Sequence, residues 1–243
     1  TRDHTERMLK AFGADISVED GGKRILLKGP SKLKGTEVQV PGDISSASFF
    51  IAAGCLVPDS EIIISNVGVN FTRTGVLDVL SSMGADIELI NERILCGEPA
   101  ADIAVKYSPL RAVEICGEII PRVIDEIPIL AVAACRAHGT TVIRDAAELR
   151  VKETDRIGIM AAELRKMGAQ IKEMDDGMII EGPAALKGAR LNSHGDHRIA
   201  MALAVAGLTA EGETIIEDAQ CAAVSFPNFY EILGELMGTA GGK

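Results

Sequence analysis

The sequence predicts an α+β protein made by repeating one unit: strand, buried helix, strand, amphipathic helix, strand, strand. Three observations predict it. The ending Gly13-Ala14-Asp15-Ile16 returns as Met83-Gly84-Ala85-Asp86-Ile87 and again as Met167-Gly168-Ala169-Gln170-Ile171. A longer phrase occurs twice, Gly29-Pro30, Leu33-Lys34-Gly35 and Gly42-Asp43 against Gly182-Pro183, Leu186-Lys187-Gly188 and Gly195-Asp196. Helices of small apolar residues then follow at matching places, and self-similarity of this kind is the signature of a repeat architecture.

In chain order, Met8, Leu9 and Phe12 form a short helical face closed by Gly13. Gly at such an end suits the left-handed residue of a helix C-terminus, and Gly84 and Gly168 play the same part. After each, an alternating strand, a tight turn and a second strand are expected, at 15–19 with 24–28, 86–90 with 93–97, and 170–174 with 177–181. Helices over 45–54 and 198–207 are so rich in Ala that they must be buried. A third, Ile129 to Ala134, follows Ile124-Asp125-Glu126-Ile127-Pro128. Pro128 fits a first helical turn, which makes Asp125 the expected N-cap. Strands 60–66, 140–144 and 212–217 come after these helices. With Asp43, Asp125 and Asp196 as caps, symmetry would bring three helix N-termini to one end, where dipoles and free N–H groups form an anion site.

Composition limits what the protein can meet. The 243 residues are 47% hydrophobic with 3% aromatic and no Trp, so the core is aliphatic. A net charge of −10 argues against nucleic acid and against an anionic membrane. The five cysteines include no C-x-x-C, and Cys55 and Cys135 sit in Ala-rich runs. They read as reduced core thiols of a cytoplasmic protein. The four histidines lack metal-ligand spacing, no apolar run is long enough for a membrane span, and no signal peptide appears. The chain opens at Thr1 inside a helical pattern, which predicts the later part of something longer.

Leu149-Arg150-Val151-Lys152-Glu153-Thr154-Asp155-Arg156 carries five charges in eight positions. It precedes an apolar stripe of Ile157, Met160, Ala161, Leu164 and Met167 at helical spacing. Continued back at about 100° per residue, Lys152 and Arg156 border that stripe and Glu153 lies within it, in the first turn, while Asp155 points away. A salt-bridged helix start is the ordinary fate of such a cluster. Two cations and a carboxylate turned toward the packed side favour a site.

The unit ends collect further groups: Asp43, Ser45 and Ser46 from the first copy, Asp125 from the second, His197 and Arg198 from the third. Arginines beside a lysine suit carboxylates and phosphates, and Asp125 with Glu153 supplies a carboxylate pair for proton transfer. No nucleotide-binding Gly-rich loop appears. These residues point to transferase or lyase chemistry on a small polyanion, by acid and base without a cofactor or metal.

Leu149–Arg156, Asp196-His197-Arg198 with Ile199-Ala200-Met201, and Pro41-Gly42-Asp43-Ile44-Ser45-Ser46-Ala47 together resemble 5-enolpyruvylshikimate-3-phosphate synthases. Thr1-Arg2-Asp3-His4-Thr5-Glu6-Arg7-Met8-Leu9 and Ser225-Phe226-Pro227 extend the resemblance end to end. It implies the enolpyruvyl transferase fold, an inside-out α/β barrel of three βαβαββ repeats over 41–243, preceded by the tail of a second such domain over 1–40. It implies enolpyruvyl transfer from phosphoenolpyruvate to the 5-hydroxyl of shikimate 3-phosphate, with release of phosphate. By motif, Asp125 contacts the shikimate hydroxyls and takes the 5-hydroxyl proton, and Lys152 also contacts shikimate. Glu153 protonates the phosphoenolpyruvate methylene, Arg156 and Arg198 clamp phosphoenolpyruvate, and Arg2 meets the shikimate phosphate. Asp43, Ser45, Ser46 and His197 are weaker candidates.

Two positions depart from the pattern: Val224 stands where many members carry a lysine before Phe-Pro, and Glu148 where several carry an amide. The family's N-terminal-domain motifs are absent, so this chain is expected to hold about half a site and to need an N-terminal half as partner. Three rival readings stand beside this one: a non-catalytic half that only binds or docks, a UDP-N-acetylglucosamine enolpyruvyl transferase, and an RNA 3′-phosphate cyclase relative. The VKETDR and DHR motifs oppose the second, and the net charge opposes the third.

Overall fold

The computed structural model describes residues 2–241, so Thr1 of the opening motif lies outside the described residues. The chain starts with α1 (His4–Ala11) and the antiparallel hairpin β1 (Asp15–Glu19) and β2 (Arg24–Lys28). An irregular stretch leads to α2 (Ile44–Leu56), β3 (Glu61–Gly68), α3 (Gly75–Ser82), β4 (Asp86–Leu95) and β5 (Glu98–Lys106). The second unit runs β6 (Glu114–Ile115), α4 (Ile120–Val123), α5 (Ile127–Arg136), β7 (Gly139–Ile143), α6 (Arg156–Lys166), β8 (Gln170–Met174) and β9 (Gly177–Gly182). The third runs β10 (Arg190–Asn192), α7 (His197–Leu208), β11 (Ile215–Glu217) and α8 (Phe229–Gly241).

The repeat is visible in the sheets. The second unit orders its strands β6-β7-β9-β8, with β6 parallel to β7 and the rest antiparallel. The first orders them β3-β5-β4, and a lone parallel bridge from Gly42 to Val67 stands where β6 stands in the second. In the third, β10 lies parallel to β11, and among the described residues no hairpin continues that sheet. Gly13, Gly84 and Gly168 close their helices at φ of +86°, +93° and +94°, the left-handed ending that the repeated motif requires.

α2, α5 and α7 touch one another at the centre; almost every residue of α2 and α5 is buried, and α7 is buried from Ile199 to Ala206. Alanines permit this, because small side chains let helix backbones approach while larger neighbours fill the gaps. Cys55 and Cys135 are fully buried free thiols in these helices, and burial pushes both up to about 12. The apolar stripe Ile157, Met160, Ala161, Leu164 and Met167 packs inward as its spacing predicts, each at 0% exposure. Between α2 and α8, Phe49, Phe50, Phe226 and Phe229 meet in edge-to-face contacts.

The structure corrects three expectations. The turn of the second hairpin is Cys96-Gly97, both at positive φ, and not 91–92. Two successive positive-φ residues match the twist of antiparallel strands. Asn91, at φ +53°, makes a bulge instead, donating its side-chain amide to Asp102. Asp125 is not the cap of α5: the cap position is Glu126, without a side-chain cap bond. The helix after the charge cluster starts at Arg156, so Lys152 and Glu153 are not on its first turn. Asp155 caps it through the Gly158 amide and also takes Arg150, with its side chain still 42% exposed.

Candidate active site

The N-terminal ends of α2, α5 and α7 converge, and the polar groups of each meet there. Asp43 caps α2 by accepting from the Ser46 amide, and Asp196 caps α7 by accepting from the Arg198 and Ile199 amides. Asp125, released from capping, lies between α4 and α5 with its carboxylate among three guanidiniums. Arg2 Nη2 is 3.3 Å away, Arg156 Nη1 3.6 Å and Arg198 Nη2 3.8 Å.

The arginines differ in what they have left to offer. Arg156 is 1% exposed, donating Nε to Asp196 at 2.8 Å and Nη2 to Glu153 at 2.6 Å, with Nη1 the loosely paired edge. Burying a guanidinium demands this saturation, since an unpaired buried charge is far costlier than a paired one. Burial alone would raise the Asp196 carboxyl, but the Arg156 bond and the helix amides outweigh it and hold it below its ordinary range. Arg198 is bound loosely, by the Asp125 carbonyl at 3.3 Å and by carboxylates at 3.8 and 3.9 Å. Its donors are therefore those most available to an incoming anion.

Lys152 pairs with Glu148 and does not reach Asp125. It lines, with Arg2, Asp125, Glu148 and Pro121, a cleft of about 520 Å³. Glu153 stands at the surface on its bond to Arg156. Ser46 serves the α2 cap, its hydroxyl also facing Asp43 at 3.3 Å. His197, at the first position of α7, is half-buried, and burial with the Arg198 charge lowers its pKa.

Two residues at the site escaped sequence reasoning. Glu126 is 1% exposed and accepts from the Ser45 hydroxyl, with Arg198 Nη1 3.9 Å away. Burial raises its pKa, with Ser45 and Arg198 offsetting part of the effect. Arg73 donates to Asp43 and to Ser45 Oγ, each at 2.8 Å. Burial lowers the pKa of Arg2, and Arg73 lowers it further. An acid beside the conspicuous Asp125 was a usable signal for Glu126; nothing in the Thr-Arg-Thr loop marked Arg73. Five cations, Arg2, Arg73, Lys152, Arg156 and Arg198, thus gather on a chain of net charge −10.

A buried helical bundle ringed by sheets, with acids and arginines at one end, defines the class. Solved structures of the same shape include EPSP synthase from Acinetobacter baumannii, with a TM-score of 0.92 at 46% identity, covering 97% of this chain and 54% of that one. The enolpyruvyl transferase NikO from Streptomyces tendae matches at a TM-score of 0.74 and 25% identity, covering 94% of this chain and 51% of that one. Residues 1–233 match the family model described as EPSP synthase (3-phosphoshikimate 1-carboxyvinyltransferase), and the chain belongs to that family. The 3-phosphoshikimate 1-carboxyvinyltransferase of Gloeobacter violaceus is 58% identical over 236 residues, and that of Bacillus cereus 56% over 238, each covering 97% of this chain and 54% of the relative. The chain therefore spans about half the length of the curated relatives it matches.

Proposed function

We propose that this chain supplies one side of the active site that moves the enolpyruvyl group of phosphoenolpyruvate to the 5-hydroxyl of shikimate 3-phosphate. The observation that carries the reading is the Asp125 carboxylate among Arg2, Arg156 and Arg198, at the meeting point of three buried helices. Substrate anions compete with Asp125 for Arg2 and Arg198, which frees its oxygens to accept the 5-hydroxyl proton. Glu153, at the surface beside Arg156, gives a proton to the methylene carbon as the 5-oxygen bonds to the adjacent carbon. Phosphate leaves when the same methyl carbon returns a proton. Arg198 and the loosely paired edge of Arg156 hold phosphoenolpyruvate, Arg2 the shikimate phosphate, and Lys152 a shikimate hydroxyl. Val224, where many relatives carry a lysine, is 79% exposed and offers no charge to phosphoenolpyruvate.

The same reading takes residues 1–40 as the end of an N-terminal domain and 41–243 as the C-terminal domain, with an N-terminal half as the partner. Two observations support a partner. β2 is exposed along its whole length, with Leu27 at 59% and Ile25 at 49%, and Val18 beside it on β1 is half exposed. β11 pairs only with β10 among the described residues, whereas β7, its counterpart, has neighbours on both sides. The test is phosphate release from both substrates with and without a separately made N-terminal half. Activity only in the mixture is the expected outcome. Full turnover by the chain alone would overturn the half-site reading, and no turnover in either case would overturn the transferase reading.

A further inference from the structure

We propose that Asn70 is a positioning residue of this site, latching α1 to the body and so setting Arg2 against Asp125. The inference rests on the transferase reading for what Arg2 does, and on geometry alone for the latch.

Asn70 is 2% exposed, yet both ends of its amide are used. Nδ2 donates to Asp3 Oδ1 at 2.7 Å and to Glu98 Oε2 at 2.9 Å. Oδ1 accepts from the Thr72 amide at 2.9 Å and from the Thr72 hydroxyl at 2.8 Å. Two donors and two acceptors exhaust what an amide can do, and two carboxylates on one side fix its orientation. The network continues from both acids. The second oxygen of Glu98 meets His4 Nδ1 at 2.8 Å, and that of Asp3 takes Arg7 Nε at 2.8 Å, while Arg7 Nη1 reaches the Gly97 carbonyl at 2.9 Å.

α1 is held to the body by polar bonds, those of His4 and Arg7 beside the one from Asp3 to Asn70. None of its residues is buried, so apolar packing does not hold it. Asp3 occupies the N-cap position but makes no side-chain cap bond; its oxygens go to Asn70 and Arg7 instead. The Asn70 and Arg7 bonds outweigh burial and hold the Asp3 carboxyl below its ordinary range. Arg2 is the residue just before Asp3, so where Asp3 is pinned decides where the Arg2 guanidinium can lie. The Asn70 carbonyl also accepts from the Arg73 and Thr74 amides. Asn70 thus meets the segment of Arg2 through its side chain and the loop of Arg73 through Thr72 and its own main-chain carbonyl.

Asn70→Asp distinguishes a latch from a mere loop cap. It keeps the oxygen that accepts from Thr72 but removes the donor and sets a third carboxylate against Asp3 and Glu98. Hydrogen exchange on the 243-residue chain should show the amides of residues 5–12 exchanging about tenfold faster, the scale of a lost charge-assisted bond. Those of α5 and α7 should be unchanged. Asp3→Ala, which reaches the latch from α1 and leaves the body intact, should do the same. Unchanged protection of α1 in both variants would overturn the latch.

Calorimetry with shikimate 3-phosphate, on the chain mixed with its N-terminal half, tests the link to Arg2. Asn70→Asp should weaken binding about tenfold, and should add nothing once Arg2→Ala is present. Losses that multiply would overturn positioning through Arg2. Wild-type protein that binds no shikimate 3-phosphate would overturn the transferase reading, leaving the latch to be decided by exchange.

Discussion

Glu126 and Asp196 are both buried carboxyls near arginines, yet the fold shifts them in opposite directions. Glu126, held by a hydroxyl and a distant guanidinium, is raised by burial. A group raised in the fold contributes stability below its unfolded pKa and loses it as pH rises through the folded value. Glu126→Gln keeps the shape and a partner for Ser45 and removes the charge. Its melting temperature should match wild type near pH 4 and exceed it increasingly as pH rises above the ordinary carboxylate range, measured by thermal scans across pH. Asp196, saturated by Arg156 and helix amides, is depressed. Its contribution is present above its unfolded pKa and lost as pH falls through the lower folded one. Asp196→Asn should therefore be destabilised at neutral pH, by about 3–5 kcal/mol as for a broken buried pair. The deficit should shrink in acid, which denaturant titrations at pH 7 and pH 3 would read.

Among elements, the ones the sequence revealed are those whose burial is periodic. The Ala-rich runs of α2, α5 and α7 could only be interior, and the stripe of α6 showed which side it packs. The Leu149–Arg156 cluster was read as continuing the helix back from Arg156, and the helix starts only there. Charge spacing assumes a continuous helix, whereas Asp155 takes the capping role and starts α6 one residue later. The Cys96-Gly97 turn was hidden because Asn91 is an equally good left-handed residue, and only the cross-strand partner Asp102 turns it into a bulge. Asp125 was found as a cap and functions as a hub, for the same reason: tertiary partners outbid local ones. Long-range contact also governs α3. A methyl on Gly75 would lie 2.4 Å from Val123 Cγ1 and 2.9 Å from the Arg122 carbonyl, so the start of α3 fits against α4 only without a side chain. Gly75→Ala should cost about 1–3 kcal/mol by overpacking. Because α4 leads directly into Asp125, it should also weaken anion binding, and chemical denaturation with calorimetry on one sample checks both.

Across the whole molecule the charge distribution and the apolar surface point the same way. A strongly acidic chain gathers its site arginines where three helices begin, while its exposed apolar side chains concentrate on the first forty residues. In β1 and β2 the register sets Ile16 opposite Leu27 and Val18 opposite Ile25, giving one apolar face on a two-stranded sheet. Such a sheet is marginal alone and needs a further layer, and an open cleft of about 840 Å³ separates it from α1. Burying four aliphatic side chains there would stabilise a complex by several kcal/mol, at roughly 25 cal/mol per Å². If an N-terminal half is the layer that covers this face, the chain alone should bind a hydrophobic dye that the added half displaces. Leu27→Lys should reduce dye binding by the chain alone and raise the concentration of half needed for activity at least tenfold. It should leave the melting temperature of the α2–α5–α7 core unchanged, because no core residue touches that face. Displacement that survives Leu27→Lys unaltered would place the partner elsewhere, with the open edge of β11 the next surface to test.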